Sequence, residues 1–312
     1  MEQPAAAASS SSPQFQAIAL DLDGTLLNSN HEISKASADY LRHLHAKGIP
    51  ILFATGRAGP TVMKHVIRLQ IDKLPVVCSN GARGLHCTPI DKRSVHVKEL
   101  FSMPVPLEIT KRVIQLADKL GQMVQYYHGT SVYANASKAH HYKLAKRYSA
   151  LTGCNTIYMQ DSFESLLTAS KLSSKLLVLC PEHKLSEVLM AFQQEFKDEA
   201  TIIYGATSST TKRRGGWFLE ILHPQVNKGT GLQTMCALLN ISVDHVVAFG
   251  DGENDVEFLS VAGKGIAMKN ARETAKKVAD QVIPYTNNED GVIRTLQKME
   301  KDGTLAPLFY SA

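Results

Sequence analysis

Four short apolar runs stand out along the chain: Ala17-Ile-Ala-Leu20, Ile49-Pro-Ile-Leu-Phe-Ala54, Pro75-Val-Val-Cys78 and His245-Val-Val-Ala-Phe249. None alternates apolar with polar side chains, so each reads as a strand buried on both faces by flanking helices. Between the first two, Ile33, Ala36, Tyr40, Leu41 and Leu44 recur at helical spacing. Ser34 is placed to cap that helix and Gly48 to stop it. Strands alternating with amphipathic stretches predict an α/β chain built on a Rossmann-like parallel sheet. Each of the four strands is followed at once by a polar or Gly-containing cluster. These are Asp21-Leu-Asp-Gly-Thr25, Thr55-Gly-Arg57, Ser79-Asn-Gly81 and Gly250-Asp-Gly-Glu-Asn-Asp255. Ligands of open parallel sheets bind beyond the carboxyl ends of the strands, so the four clusters are expected to converge on one site.

The middle of the chain has another texture. Helical patterns at 106–120, 138–150 and 184–196 alternate with strand-like runs at 123–127, 175–180, 201–204 and 217–222, with no comparable acidic or Gly-rich strand ends. The chain therefore divides into an Ala/Ser-rich tail (1–14), a first core segment (15–83), an inserted α/β domain (84–225) and a second core segment (226–312). The tail cannot bury a core and is expected to be disordered. Its Ser-rich, acid-poor composition leaves a plastid or mitochondrial address as the alternative to a cytoplasmic one.

Composition agrees with this picture. At about 150 residues per domain, 312 residues suggest two domains. A hydrophobic content of 44% with 20% charged residues excludes wholesale disorder. The longest apolar runs, at 175–180 and 246–249, fall far short of the ~20 residues that span a bilayer, so no membrane partner is expected. Lys and Arg number 34 against 29 Asp and Glu, a net +5 spread over the chain. A nucleic-acid binder concentrates its basic residues. The two densest groups, Lys212-Arg213-Arg214 and 138–147, read as a loop and a solvated helix face, so no nucleic-acid partner is expected. Five widely spaced cysteines without a C-x-x-C pair suit a reducing compartment, and neither a disulfide framework nor a zinc site. His140 and His141 lack further ligands at metal spacing and are expected on a helix surface. Tyr126, Tyr127, His128, Tyr133 and Trp217 read as core or surface residues.

The chemistry lies in the clusters. Asp21 and Asp23 are two apart at a strand end, where extended backbone would point both carboxylates the same way. Two carboxylates in a small space need a cation or a proton between them. Mg²⁺ prefers a few carboxylates plus phosphate and water, and Asp251 and Asp255 from another strand end would complete such a site. Asp251 alone would read as a turn residue; two acid-rich clusters at adjacent strand ends do not.

Asp21-Leu-Asp-Gly-Thr-Leu-Leu27 resembles the first motif of the haloacid dehalogenase (HAD) superfamily. Thr55-Gly-Arg57 matches its second motif, Lys228 in Val226-Asn-Lys-Gly-Thr230 its third, and Gly250-Asp-Gly-Glu-Asn-Asp255 its fourth. With Ser79-Asn-Gly-Ala82 and the large insert, the wording resembles the Cof-type (subclass IIB) phosphatases, whose core carries an α/β cap of the C2 type. The resemblance covers about Phe15 to Gln297 with all motifs in family order. Arg83-Gly84 departs from it, since relatives often place an apolar residue there.

The resemblance implies that Asp21 is the nucleophile, forming an aspartyl-phosphate, and that Asp23 protonates the leaving oxygen and then activates water. It implies Mg²⁺ held by Asp21, the Asp23 backbone carbonyl and Asp251, with Asn254 and Asp255 in support. Asp255 either coordinates directly or orients a ligand or Lys228. Thr55 and Gly56 at the strand end suit a phosphate oxygen, Thr55 through its hydroxyl and backbone N–H. Lys228 would supply positive charge at the start of a helix over 229–239, and Asn80 and Asn254 would bind phosphate or substrate. Arg57 is expected to be structural. The substrate is then a small phosphorylated metabolite such as a sugar phosphate, pyridoxal phosphate or a flavin-related phosphate. The enzyme would act as a monomer or homodimer. Two other readings are a phosphomutase of the same superfamily and a catalytically silent metabolite-binding protein. The intact set Asp21, Asp23, Lys228 and Asp251 argues against silence. A dehalogenase would not need Asp23.

Overall fold

The computed structural model describes residues 15–206 and 216–307, so the Ala/Ser tail and Lys212-Arg213-Arg214 lie outside the described residues. The chain falls into two units, one made of 1–52 with 236–312 and the other of 53–235. The insert expected at 84–225 lies within the second. In chain order the elements begin with β1 (Ala17–Leu20), α1 (Lys35–Ala46), β2 (Ile51–Ala54), α2 (Gly59–Leu69), β3 (Leu74–Cys78), β4 (Arg83–Pro89) and β5 (Val95–Ser102). There follow α3 (Leu107–Lys119), β6 (Met123–His128), β7 (Ser131–Ala134), α4 (Ala139–Thr152), β8 (Thr156–Tyr158), α5 (Glu164–Thr168) and β9 (Lys175–Leu179). The chain continues with α6 (Leu185–Phe196), β10 (Thr201–Ala206), β11 (Gly216–Leu222), α7 (Lys228–Leu238) and β12 (Val246–Gly250). It ends with α8 (Val256–Val261), β13 (Lys264–Ala267), α9 (Glu273–Val278), β14 (Gln281–Val282) and α10 (Gly291–Lys301).

In the first unit the strands run parallel in the order β14-β13-β12-β1. β1 and β12 lie in register from Ala17 against Val246 to Leu20 against Phe249, and every residue of both strands is buried. This is the burial that an uninterrupted apolar run requires. Ser34 caps α1 as expected: its hydroxyl oxygen accepts the Ser37 N–H at 3.0 Å. The same hydroxyl donates to Asp290 at 2.8 Å, joining the start of α1 to the start of α10.

In the second unit the end of β2 pairs in parallel with β3, with Phe53 opposite Val76 and Ala54 opposite Val77. Residues 83–102, for which the sequence suggested no element, form the antiparallel hairpin β4–β5, with β4 paired to β3. The rest is a sheet in the order β10-β11-β9-β6-β7-β8. Its two faces follow the period of two that a strand imposes. Val124, Tyr126, Leu176, Val178, Leu219 and Ile221 pack with α3 and α6 residues such as Val113, Val188 and Phe192. Met123, Tyr127, Leu177, Leu179 and Trp217 pack on the other face with Ala145 and Tyr148 of α4.

Tyr126, Tyr127 and Trp217 are thus core residues. All five cysteines are buried and free. His141 departs from expectation: it is buried, accepting the Ser137 N–H on Nδ1 and facing the Gly121 carbonyl with Nε2 at 3.1 Å. The polar backbone at the α4 start and after α3 draws it inward, while His140 stays exposed. Among the described residues no helix is long and apolar enough to cross a membrane.

Candidate active site

The acidic residues gather at two neighbouring strand ends of the first unit. Asp21 follows β1 and Asp251 follows β12, and the Asp21 N–H donates to the Phe249 carbonyl at 3.0 Å. Carboxylate oxygens of Asp21, Asp251 and Asp255 all lie within 4.8 Å of one another. Asp21 and Asp255 are buried and Asp251 partly so. The Asp255 Oδ2 accepts the backbone N–H groups of Asp251 (2.9 Å) and Gly252 (2.7 Å), which fixes the loop that presents Asp251. The Thr25 hydroxyl donates to Asp251 at 3.0 Å, and Asn254 lies in the same loop with its amide oxygen close to Gly252. Gly24 takes φ +81°, and a Cβ there would stand within 2.6 Å of Asp251 Cγ. The turn can pass the carboxylate only without a side chain.

The sequence reading set Asp21, Asp23, Asp251 and Asp255 at one site, and the carboxylates gathered within 4.8 Å are those of Asp21, Asp251 and Asp255. The reason is local: β1 ends at Leu20, so the alternation of an extended strand does not continue through Leu22 and Asp23. The Asp23 carboxylate instead meets His31 Nδ1 at 3.1 Å on the rim of the turn. Asn270 and Asn287, which the sequence reading did not single out, brace that turn from behind. Asn270 donates to the Gly24 carbonyl and Asn287 to the Leu27 carbonyl, each at 2.8 Å. Three oxygen-donor carboxylates at this spacing suit a hard divalent cation such as Mg²⁺.

The second unit gathers the remaining residues. Thr55 and Gly56 follow β2, and Ser79 to Gly81 form a tight turn after β3. The two turns are laced together: the Asn80 N–H donates to the Thr55 carbonyl at 3.0 Å and the Ser79 N–H to the Arg57 carbonyl at 2.8 Å. The Thr55 N–H is spent on the Val77 carbonyl at 2.9 Å, so of the two Thr55 donors expected for a phosphate oxygen only the hydroxyl remains. Its oxygen accepts the Arg57 N–H at 3.2 Å. Asn80 sits at φ +55°, a conformation that Asn tolerates better than most residues.

Lys228 opens α7, one residue earlier than expected, and only 1% of it is exposed. Burial of a lysine to this extent is rare without a partner. Asn227 caps the helix by accepting the Thr230 N–H at 2.8 Å. Its backbone lies so close to Gly81 that a Cβ there would stand 2.8 Å from the Asn227 carbonyl carbon. Lys228 is thereby held beside the Ser79–Gly81 turn.

Lys175 and Glu220 are the functional candidates that sequence reasoning missed. They form a buried ion pair of 2.5 Å between β9 and β11, with 1% and 7% of the residues exposed. Glu220 also accepts from Asn80 Nδ2 at 2.9 Å, and Lys175 Nζ lies 3.4 Å from the Gly56 carbonyl. Burial alone would push the Lys175 ammonium down, but the Glu220 carboxylate overrides it and holds the group above the usual lysine range. A lone Glu within Trp217-Phe-Leu-Glu-Ile-Leu222 was the available signal, because a charge in an apolar strand must find a partner.

The family model of haloacid dehalogenase-like hydrolases matches residues 18–296. The phosphatase YwpJ of Bacillus subtilis is 27% identical over 312 aligned positions, covering 90% of this chain and 99% of its own. The TM0651 protein of Thermotoga maritima superposes with a TM-score of 0.76 at 26% identity, over 91% of this chain and 97% of that one. The HAD subclass IIB sugar phosphatase BT4131 shares the fold, with a TM-score of 0.68 at 23% identity over 93% and 99% of the two chains.

Proposed function

The chain belongs to the haloacid dehalogenase-like hydrolases and is of their Cof type, and on that premise we propose that it is a Mg²⁺-dependent phosphomonoesterase working through an aspartyl-phosphate on Asp21. The observation that carries the reading is the trio Asp21, Asp251 and Asp255, set within 4.8 Å at two adjacent parallel strand ends. The donor set fits Mg²⁺: Asp21 and Asp251 would hold it with the Asp23 backbone carbonyl, and Asp255 and Asn254 would support it. When bound, the ion would offset the carboxylate charge and draw electron density from the phosphate oxygens.

The chain's own groups supply the rest. The Asp21 carboxylate attacks phosphorus, forming the acyl–phosphate bond as the ester P–O bond breaks. Asp23 gives its proton to the departing alkoxide, then takes one from the water that opens the aspartyl-phosphate. The partly exposed Asp23 carboxylate, on a turn braced by Asn270 and Asn287, suits a group that must reach both. The Thr55 hydroxyl, the Gly56 turn, Asn80 and Asn254 bind phosphate or substrate, and Lys228 places its ammonium against the developing charge. The substrate is a small phosphorylated metabolite: a sugar phosphate, pyridoxal phosphate or a flavin-related phosphate.

The test is phosphate release from p-nitrophenyl phosphate and a metabolite panel, with Mg²⁺ and with EDTA. Release that EDTA abolishes is expected, and no release from any member sinks the reading. Asp21→Asn is expected to abolish turnover and to prevent trapping of a beryllofluoride adduct. An isomerised sugar phosphate in place of free phosphate would make the protein a mutase.

A further inference from the structure

The Lys175–Glu220 pair lies where the fold itself has no need of it. β9 and β11 are already joined by the antiparallel register from Leu176–Ile221 to Leu179–Phe218, and both faces of their sheet carry apolar cores. Withdrawing two charges from water is costly, and a well-packed apolar pair of similar volume commonly serves stability as well or better.

Each member of the pair makes one contact within it and one beyond it. Glu220 spends Oε1 on Lys175 and Oε2 on Asn80 Nδ2. Lys175 spends one direction on Glu220 and another on the Gly56 carbonyl, 3.4 Å away, with the Tyr127 ring 5.0 Å beneath its ammonium. The outer contacts fall on the two turns that Asn80 N–H to Thr55 and Ser79 N–H to Arg57 already lace together. A carboxylate only accepts, so Glu220 also dictates the sense of the Asn80 amide: the NH₂ faces Glu220 and Oδ1 lies on the Gly56 side.

We infer that Lys175 and Glu220 are positioning residues, a buried clamp that sets the Asn80 amide and the Gly56 carbonyl and so the shape of both turns. The inference rests on the phosphatase reading for what the turns bind. The clamp holds its arrangement because each charge would be left unpaired if the other moved.

The test compares Lys175→Met/Glu220→Leu, Glu220→Gln and Lys175→Arg with wild type. Its readouts are KM and kcat for p-nitrophenyl phosphate, inhibition by orthovanadate, hydrogen exchange of peptides 55–58 and 79–82, and Tm. The apolar double variant leaves no unpaired charge but removes the Glu220 acceptor of the Asn80 NH₂, so its Tm is expected to fall only modestly. Its KM and vanadate inhibition constant are expected to rise between about tenfold and a hundredfold, with faster exchange at both turns. Glu220→Gln offers one acceptor oxygen where two are needed and is expected to show the same exchange. Lys175→Arg, which can bridge Glu220 and Gly56, is expected to keep KM, inhibition and exchange near wild type. Wild-type KM, inhibition and exchange in the double variant would overturn the inference, and so would unchanged exchange in Glu220→Gln should the double variant fail to fold. A wild-type protein that releases no phosphate would sink the phosphatase reading instead, leaving exchange to decide the clamp.

Discussion

Asp255 holds Asp251 through its backbone: one carboxylate oxygen accepts the Asp251 N–H at 2.9 Å and the Gly252 N–H at 2.7 Å. Removing that acceptor leaves two N–H groups without their partner, at a cost of about 1–3 kcal/mol for a buried group. Asp255→Ala is therefore expected to lower Tm and to raise the Mg²⁺ concentration for half-maximal activity by about ten- to a hundredfold. Asp255→Asn keeps an oxygen for the two N–H groups while losing the charge, so its Tm is expected to stay nearer wild type. Mg²⁺ titrations of phosphate release, paired with thermal melts, check both. Equal Tm losses in the two variants would show that the charge, and not the acceptor, secures the loop.

Gly24 lets the Asp21–Thr25 turn pass Asp251. Gly24→Ala combines a φ of +81°, which L residues rarely adopt, with a Cβ within 2.6 Å of Asp251 Cγ. Gly303 supplies the control: its φ is +78°, and a Cβ there meets nothing within 4 Å. Gly303→Ala is expected to show the backbone strain alone, as a small fall in Tm with turnover intact. Gly24→Ala is expected to lose activity by about a hundredfold or more, because the displaced carboxylate belongs to the acidic trio. Steady-state rates and melts of the two variants separate clash from strain.

The acidic trio was legible in the sequence because Asp21 and Asp251 follow directly on apolar runs whose burial leaves no doubt that they are strands. Lys228 was legible only through the motif around it, since its 1% exposure could not be read from its neighbours. What escaped depends on pairing across long separations. Glu220 announced itself as a charge in an apolar strand, but its partner Lys175 lies 45 positions away, at the first position of another apolar run. The alternation that would point the Asp21 and Asp23 carboxylates the same way was carried past Leu20, where β1 stops. The β4–β5 hairpin was missed for a related reason: β5 is mostly partly buried or exposed, so its pattern is weak.

The five cysteines are buried and free, and burial pushes four of the thiols well up: Cys78 and Cys180 to about 11, Cys87 and Cys236 to about 12. At pH 8 such a thiol is a thiolate in only about one molecule in a thousand or fewer, and the thiolate is the nucleophile. Native protein at pH 8 is expected to take up no iodoacetamide over an hour, while five equivalents react in guanidinium chloride. Mass spectrometry of the intact chain gives the count. Fast labelling of one site in the native protein would reveal local opening around that residue.

Glu300 ties α10 to α1, accepting from Lys47 Nζ and the Tyr40 hydroxyl at 2.6 Å each, with His43 at 3.3 Å. The Lys47 bond, then that of Tyr40, hold the carboxyl down to about 2, against desolvation that would raise it. A carboxyl lowered on folding stabilises the protein above its unfolded pKa of about 4.3, and that stabilisation fades as pH falls toward the folded value. Glu300→Gln is therefore expected to melt below wild type at pH 7, by a modest margin because the network is partly exposed and screened by salt. The margin should narrow between about pH 4.5 and pH 2. Raising ionic strength at pH 7 should narrow it as well, since exposed charges lose much of their attraction beyond a Debye length of about 8 Å at 0.15 M salt. Thermal melts of both proteins across pH and salt measure it, and a margin that stays constant would mean that the charge of Glu300 does not cause it.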